Sequence, residues 1–268
     1  MNLFSRCLIS SLLVISFNAF AEEKVVSALP VLHSLNQALL KGTDIDPVYL
    51  PPKRLPVSRI SNWIKHKSRK AIAKQGPVTA FSTVESIWPD YALFPNLRIG
   101  NVRVIPVDGA KEITAGGALI RVSESDLKNH AYFWMVPDNL IVMSQIMARD
   151  YGRIWPSEAD KIRKNQFELQ QIIRKFALQM DQLLLEHEID SACTDEEPLK
   201  ALARATELPT EPAEDCSLEA ISIVTMLPKE QDEKRFWVVN PLNKPLKANI
   251  DQWLDQNLKS LETGLVKN

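Results

Sequence analysis

The sequence predicts an α/β protein of two lobes, each a mostly parallel sheet flanked by helices, joined by one long α-helix, with the C-terminal lobe shortened. Three observations carry this expectation. Short β-type runs alternate with amphipathic helical stretches from residue 24 to residue 109, the pattern of a parallel sheet with crossover helices. Residues 159–188 keep one apolar stripe with neither Pro nor Gly to interrupt it. Only residues 189–268 remain for everything that follows.

Taken in order, 'KVVSALP' (24–30) reads as a strand and 'VLHSLNQALLKG' (31–42) as a helix that Gly42 stops. 'DPVYLPP' is the next strand and 'RISNWIKHKSRKAIAKQ' an amphipathic helix. 'PVTAFST' is a strand, 'VESIWPDYALF' (84–94) a broken helix and 'NVRVIPVDG' a strand. Residues 113–130 are irregular and compatible with a hairpin or a lid. After 'FWMVPDN', residues 139–152 are helical. In the long segment Ile162, Leu169, Ile172, Ile173, Phe176, Met180, Leu183 and Leu184 keep to one stripe, and at 1.5 Å per residue it spans roughly 45 Å, enough to join two lobes. Beyond it, 196–208 reads as a helix, 210–217 as an acidic loop, and 220–227 and 235–241 as strands. A last amphipathic helix carries Ile250, Trp253, Leu254, Leu258, Leu261 and Leu265.

The first 21 residues hold one Arg, an apolar stretch from Leu8 to Phe17 and the small-x-small site Ala19-Phe20-Ala21. Such a stretch is too short to span a bilayer, which takes about 20 residues. Residues 1–21 are therefore expected to be a signal peptide, the mature chain to begin at Glu22 in the periplasm, and no part of it to span the membrane. The expected organisation is a first lobe over 22–158, a linking helix over 159–188 and a reduced second lobe over 189–268. Export removes Cys7 and leaves Cys193 and Cys216, for which a disulfide is the expectation in an oxidising compartment. The competing reading makes Cys193, three residues before Glu196, a thiolate for a soft metal such as Cu(I).

Composition excludes several functions. Lys and Arg number 32 against 33 Asp and Glu, and the longest basic cluster is the loose 'KHKSRK' at 65–70, so no nucleic-acid partner is expected. Gly is scarce at 8 residues, and no GxGxxG or GxxxxGK[ST] string occurs to cradle a phosphate. There is no GxSxG, no HExxH and no close His/Cys or His/Asp arrangement with a catalytic role, so no enzyme is expected either.

The stretches 'VVSALPVLHSL', 'YLPP', 'NVRVIPVDG', 'FWMVPDNLIVMSQIMARDYGRIWP' and 'VVNPLNKP…IDQWLDQNLKSLETGL', in that order, resemble the periplasmic solute-binding proteins of zinc/manganese ABC importers. The resemblance implies two α/β lobes on a rigid helix, a ligand between them, and an ABC permease as partner. It also places the family's metal ligands: a His after the second strand, a His two residues before the Trp, a His or Glu opening the second lobe's first helix, and an Asp before 'PLG'. The matching positions here are Val57, Tyr132, Glu196 and Asn240. Zn²⁺ takes three or four His, Cys or carboxylate donors, so a degenerate site is expected, holding at most a weakly bound divalent ion through Glu196, with no certain cofactor. His130 is the nearest substitute donor and is read as solvated. His33 is read as structural, while His66 and His187 lie near no second donor in sequence. Tyr132 is expected to face a ligand, and Phe133 and Trp134 to pack. The segment between the helix ending near Leu208 and 'FWVV' is too short for the two helices and strand usual in the family. Two functions follow from the resemblance: a solute-binding subunit with a degenerate metal site, or a ligand-less paralogue acting through protein contacts in the cell envelope.

Overall fold

The computed structural model describes residues 23–229 and 234–266; the expected signal peptide, Cys7 and Glu22 lie outside the described residues. The first sheet is built from β1 (Glu23–Ser27), β2 (Ile45–Tyr49), β3 (Ala80–Thr83) and β4 (Ile105–Asp108), all parallel in the order β2-β1-β3-β4. Val25 pairs with Pro47 on one side and Ala80 on the other, and Ser82 pairs with Val107. Pro47 lacks an N–H to donate and sits on the edge strand, where none is needed. Helices α1 (Pro30–Leu39), α2 (Ile60–Ile72) and α3 (Phe94–Gly100) make the crossovers. Val25, Val26, Leu32, Leu35, Ala80, Phe81 and Val107 are fully buried between the layers.

The second sheet repeats the same topology at smaller size. β5 (Ala192–Cys193), β6 (Thr210–Glu211), β7 (Ile221–Val224) and β8 (Arg235–Val238) run parallel in the order β6-β5-β7-β8. Between the sheets come α4 (Glu124–Asn129), α5 (Pro137–Ile154) and α6 (Ala159–Glu186), and the second lobe adds α7 (Lys200–Ala205) and α8 (Ile250–Leu265). Helix α6, 28 residues long, packs on α1 and α5 of the first lobe and on α8 of the second, which makes it the common spine. It stops where Glu188 turns left-handed (φ 53°) and Ile189 N–H returns to Leu184 O at 3.0 Å, the C-terminal wrap that normally uses Gly. α8 begins with a capping box between Asn249 and Gln252. No helix among the described residues is long and apolar enough to cross a membrane.

Four sequence expectations need correction. The broken helix at 84–94 is a turn with a short 3-10 segment at Pro89–Tyr91, and the true crossover helix is α3 beyond it. The stretch 113–130, expected to be irregular, holds the helix α4, and of its two expected forms it takes the hairpin, closed by the antiparallel bridge Lys111 to Leu119, and not the lid. Buried Asp150 accepts from Ile113 N–H at 3.1 Å and from Arg153 at 2.5 Å, while Glu112 binds Arg149, Arg153 and Ala118 N–H. The Arg153 hydrogen bond, foremost among these contacts, holds the Glu112 carboxyl below the usual carboxylate range. The helix expected over 196–208 shrinks to a 3-10 turn and α7 and is followed by Glu207 at φ 58°. Finally, the acidic loop at 210–217 contains β6, too short for any periodicity to reveal.

Candidate functional site in the cleft between the lobes

Parallel sheets place ligand sites beyond the carboxyl ends of their strands, at the crevice where successive connections leave in opposite directions. Both sheets here have that switch point, between β1 and β3 and between β5 and β7. The loops after β2, β3, β5 and β8 bring Val57, Tyr91, Glu196 and Asn240 to those ends. Helix α4 ends at His130, and the next turn supplies Tyr132.

Side-chain engagement at the four family-matched positions differs from that of a metal cage. Val57 is apolar and 1% exposed. Its N–H donates to Asn243 Oδ1 at 2.9 Å and to Asn243 O at 3.1 Å, and its carbonyl accepts from Tyr91 OH at 3.2 Å. Tyr132 OH donates to the same Asn243 Oδ1 at 3.3 Å, and its N–H to Pro198 O at 3.0 Å. Both Tyr91 and Tyr132 are driven further from ionisation, by burial first and then by Asp90 and by Tyr91 respectively, so neither is an anionic donor. Glu196 is turned into its own lobe: its two oxygens accept from Thr225 N–H at 2.6 Å and Thr225 Oγ1 at 2.8 Å. Asn240 closes its own turn, accepting from Leu242 N–H at 3.1 Å, while its carbonyl accepts from Trp253 Nε1 and Asn257.

The seam between lobes is therefore made of direct protein contacts. Trp134 Nε1 adds one more, to Pro241 O at 3.2 Å. Asn243 reaches the seam because buried Leu242 before it takes a left-handed conformation (φ 57°), a geometry that costs a β- or γ-branched residue about 1 kcal/mol or more and that persists only where its surroundings demand it.

Of the residues singled out from sequence, Val57, His130 and Tyr132 line one pocket of about 320 Å³, together with Ser58, Ser61, Asp90 and Tyr91. Glu196 and Asn240 do not line it. His130 is exposed, sits at φ 50°, and leans edge-on to Trp88 at 5.4 Å. Phe133 and Trp134 are buried, in the packing role expected of them. Among the described residues no group of three or more His, Cys, Asp or Glu side chains is placed to hold a metal ion. Cys193 and Cys216 are joined, with Cα atoms 5.9 Å apart, so no thiolate stands beside Glu196. His33, on α1, lies against Tyr49 at 5.4 Å with its Nδ1 unpartnered among the described residues. Asn243 and Tyr91 carry no signal of their own in the sequence: in 'NPLNKP' the family pattern points to Asn240, and 'WPDY' lies in a stretch with the pattern of a helix.

No family model matches the sequence, and no curated protein does. Solved structures do. ZnuA superposes with a TM-score of 0.59 at 13% identity, covering 90% of this chain and 98% of that one. The Zn(II)-bound ZnuA-like domain of Streptococcus pneumoniae AdcA gives 0.63 at 14% identity, covering 91% and 98%. The laminin-binding protein Lbp of Streptococcus pyogenes gives 0.60 at 15% identity, covering 90% and 98%. Two parallel four-stranded sheets on one long helix, matched over nearly the whole length of each, give this chain the fold of ZnuA, of the ZnuA-like domain of AdcA and of Lbp.

Proposed function

We propose that the chain is an exported solute-binding protein of the ABC-importer type, with lobes over 22–158 and 189–268 on the linking helix, that does not hold zinc or manganese in the manner of ZnuA. One observation carries the reading: each family-matched donor position is apolar, neutral or already bonded within the protein. Val57 has no donor, Tyr132 keeps its proton for Asn243, Glu196 is held by Thr225 and Asn240 by its own turn. From the four family-matched positions a divalent ion would gain at most one anionic ligand, and only by breaking two hydrogen bonds of Glu196, which cannot offset its dehydration.

Calorimetry on chelator-stripped protein, with elemental analysis of the protein as isolated, tests this. Zn²⁺ and Mn²⁺ affinities should be weak, and Glu196→Ala should change them little. One equivalent of Zn²⁺ bound with nanomolar affinity and lost in Glu196→Ala would overturn the reading. Export is tested by N-terminal sequencing of periplasmic protein, which should begin at Glu22.

The direct bonding of the lobes through Asn243 favours a second reading, a ligand-less paralogue that acts by contact with an importer permease or another envelope protein. In that case binding to membranes carrying the partner does not change with added solute.

A further inference from the structure

The seam pocket has the chemistry of a site for positive charge. Asp90 is the one charged side chain among the described residues that line it; neither Lys nor Arg does. Its ion pair with Lys65 spans 3.6 Å between side chains 67% and 58% exposed. Pairs of that kind are screened and weak, so the carboxylate remains available to an occupant. The phenols add acceptors, not donors. Tyr91 spends its proton on Val57 O and Tyr132 on Asn243 Oδ1, so toward the pocket each phenol oxygen can only accept.

The rings complete the wall. Trp88 backs Tyr91, His130 and Tyr132 at centroid distances of 5.0, 5.4 and 6.0 Å, with interplanar angles of 40°, 61° and 56°. Of the rings that line the pocket, Tyr91 and His130 stand 6.1 Å apart and 53° to each other, a corner instead of a flat stack. Aromatic rings around one carboxylate attract a cation through the ring quadrupole and the full charge together, and they repel carboxylates and phosphates. At about 320 Å³ the pocket is at the low end of the range for small-molecule sites, so its occupant is small.

We propose that this pocket binds a small organic ammonium ion, with Asp90 as its counter-charge and the rings of Tyr91, His130 and Tyr132 as its wall. The proposal rests on the solute-binding reading above and names the solute class that would replace the metal.

Calorimetry in excess EDTA tests it with four probes: choline, putrescine, the uncharged carbon isostere of choline, and acetate. Choline or putrescine should bind one per protein, with the neutral isostere and acetate at least about tenfold weaker, a difference of about 1.4 kcal/mol. Asp90→Asn, a change at an exposed side chain that leaves the fold intact, should weaken the cation by about tenfold as well. The proposal is overturned if neither cation binds at roughly 10 mM, where only affinities below about 3 kcal/mol go undetected, if the isostere or acetate binds as tightly as the cation, or if Asp90→Asn leaves affinity unchanged. Because chelator is present throughout, tight zinc binding in the separate titration would refute the metal-free reading without touching this result, and failure of the cations would refute only this proposal.

Discussion

Asn243 is the residue on which the closed seam depends, and replacing it by Ala measures how much. Its Oδ1 accepts from Val57 N–H at 2.9 Å and from Tyr132 OH at 3.3 Å, across 186 and 111 residues of sequence. Truncation removes both bonds but strands neither donor. Val57 N–H keeps the Asn243 carbonyl at 3.1 Å, and Tyr132 lines a pocket that water can enter. The cost should therefore lie near the net value of an ordinary hydrogen bond, about 1 to 1.5 kcal/mol, and below the 3 kcal/mol of a buried donor left unpaired. For a chain of this size each kcal/mol moves the melting temperature by about 2–4 °C, so Asn243→Ala should melt about 2–6 °C lower. Asn243→Asp keeps the acceptor and should recover most of the loss. Amide exchange adds a local readout, since Val57 N–H should exchange faster in the Ala variant. A melting temperature within about 0.5 °C of the parent, with Val57 exchange unchanged, would show that Asn243 does not hold the lobes.

Other predictions concern the supporting structure. Reducing the Cys193–Cys216 bond, which closes a separation of 23 residues, should cost about 3 kcal/mol by chain entropy; a denaturant midpoint unchanged by reductant would refute it. Burial, reinforced by Lys53, pushes the His33 imidazole down to about 4 from its usual 6.5. The unfolded chain then takes up the proton first, so stability is constant above pH 6.5 and falls between 6.5 and about 4, by about 3 kcal/mol if no other group compensates. His33→Leu should flatten that part of a stability-versus-pH curve, and an unaltered slope would sink the assignment. At Gly264 a Cβ would come within 1.9 Å of Phe236 O, so Gly264→Ala must push α8 off β8 and should cost about 2 kcal/mol or more in urea unfolding. A midpoint equal to the parent's would mean that the contact relaxes freely.

The long-range architecture was written into local pattern wherever an element was long enough to show a period. The stripe on α6, the apolar face of α8 and the strand-helix alternation through β4 are properties of contiguous residues, and each is found in the structure. Two cysteines sufficed to expect a bond between Cys193 and Cys216. Tertiary structure alone decided the rest. β5 and β6 hold two residues each, too few to alternate, and exist because β7 and the ladder beside them supply partners. α4, α6 and the turn after α7 end at His130, Glu188 and Glu207 in left-handed geometry, where no Gly marks the stop. The cleft shows the same division. Sequence pointed to Val57, Tyr132, Glu196 and Asn240 and to Glu196 as the one carboxylate among them, because residue identity is local information. That Asn243 bonds Val57 and Tyr132, that Thr225 takes Glu196, and that Asp90, Tyr91 and His130 share one pocket were decided by loops meeting from distant parts of the chain. A hydrogen bond needs its two atoms within about 3 Å, and between residues far apart in sequence only the packed fold determines that distance.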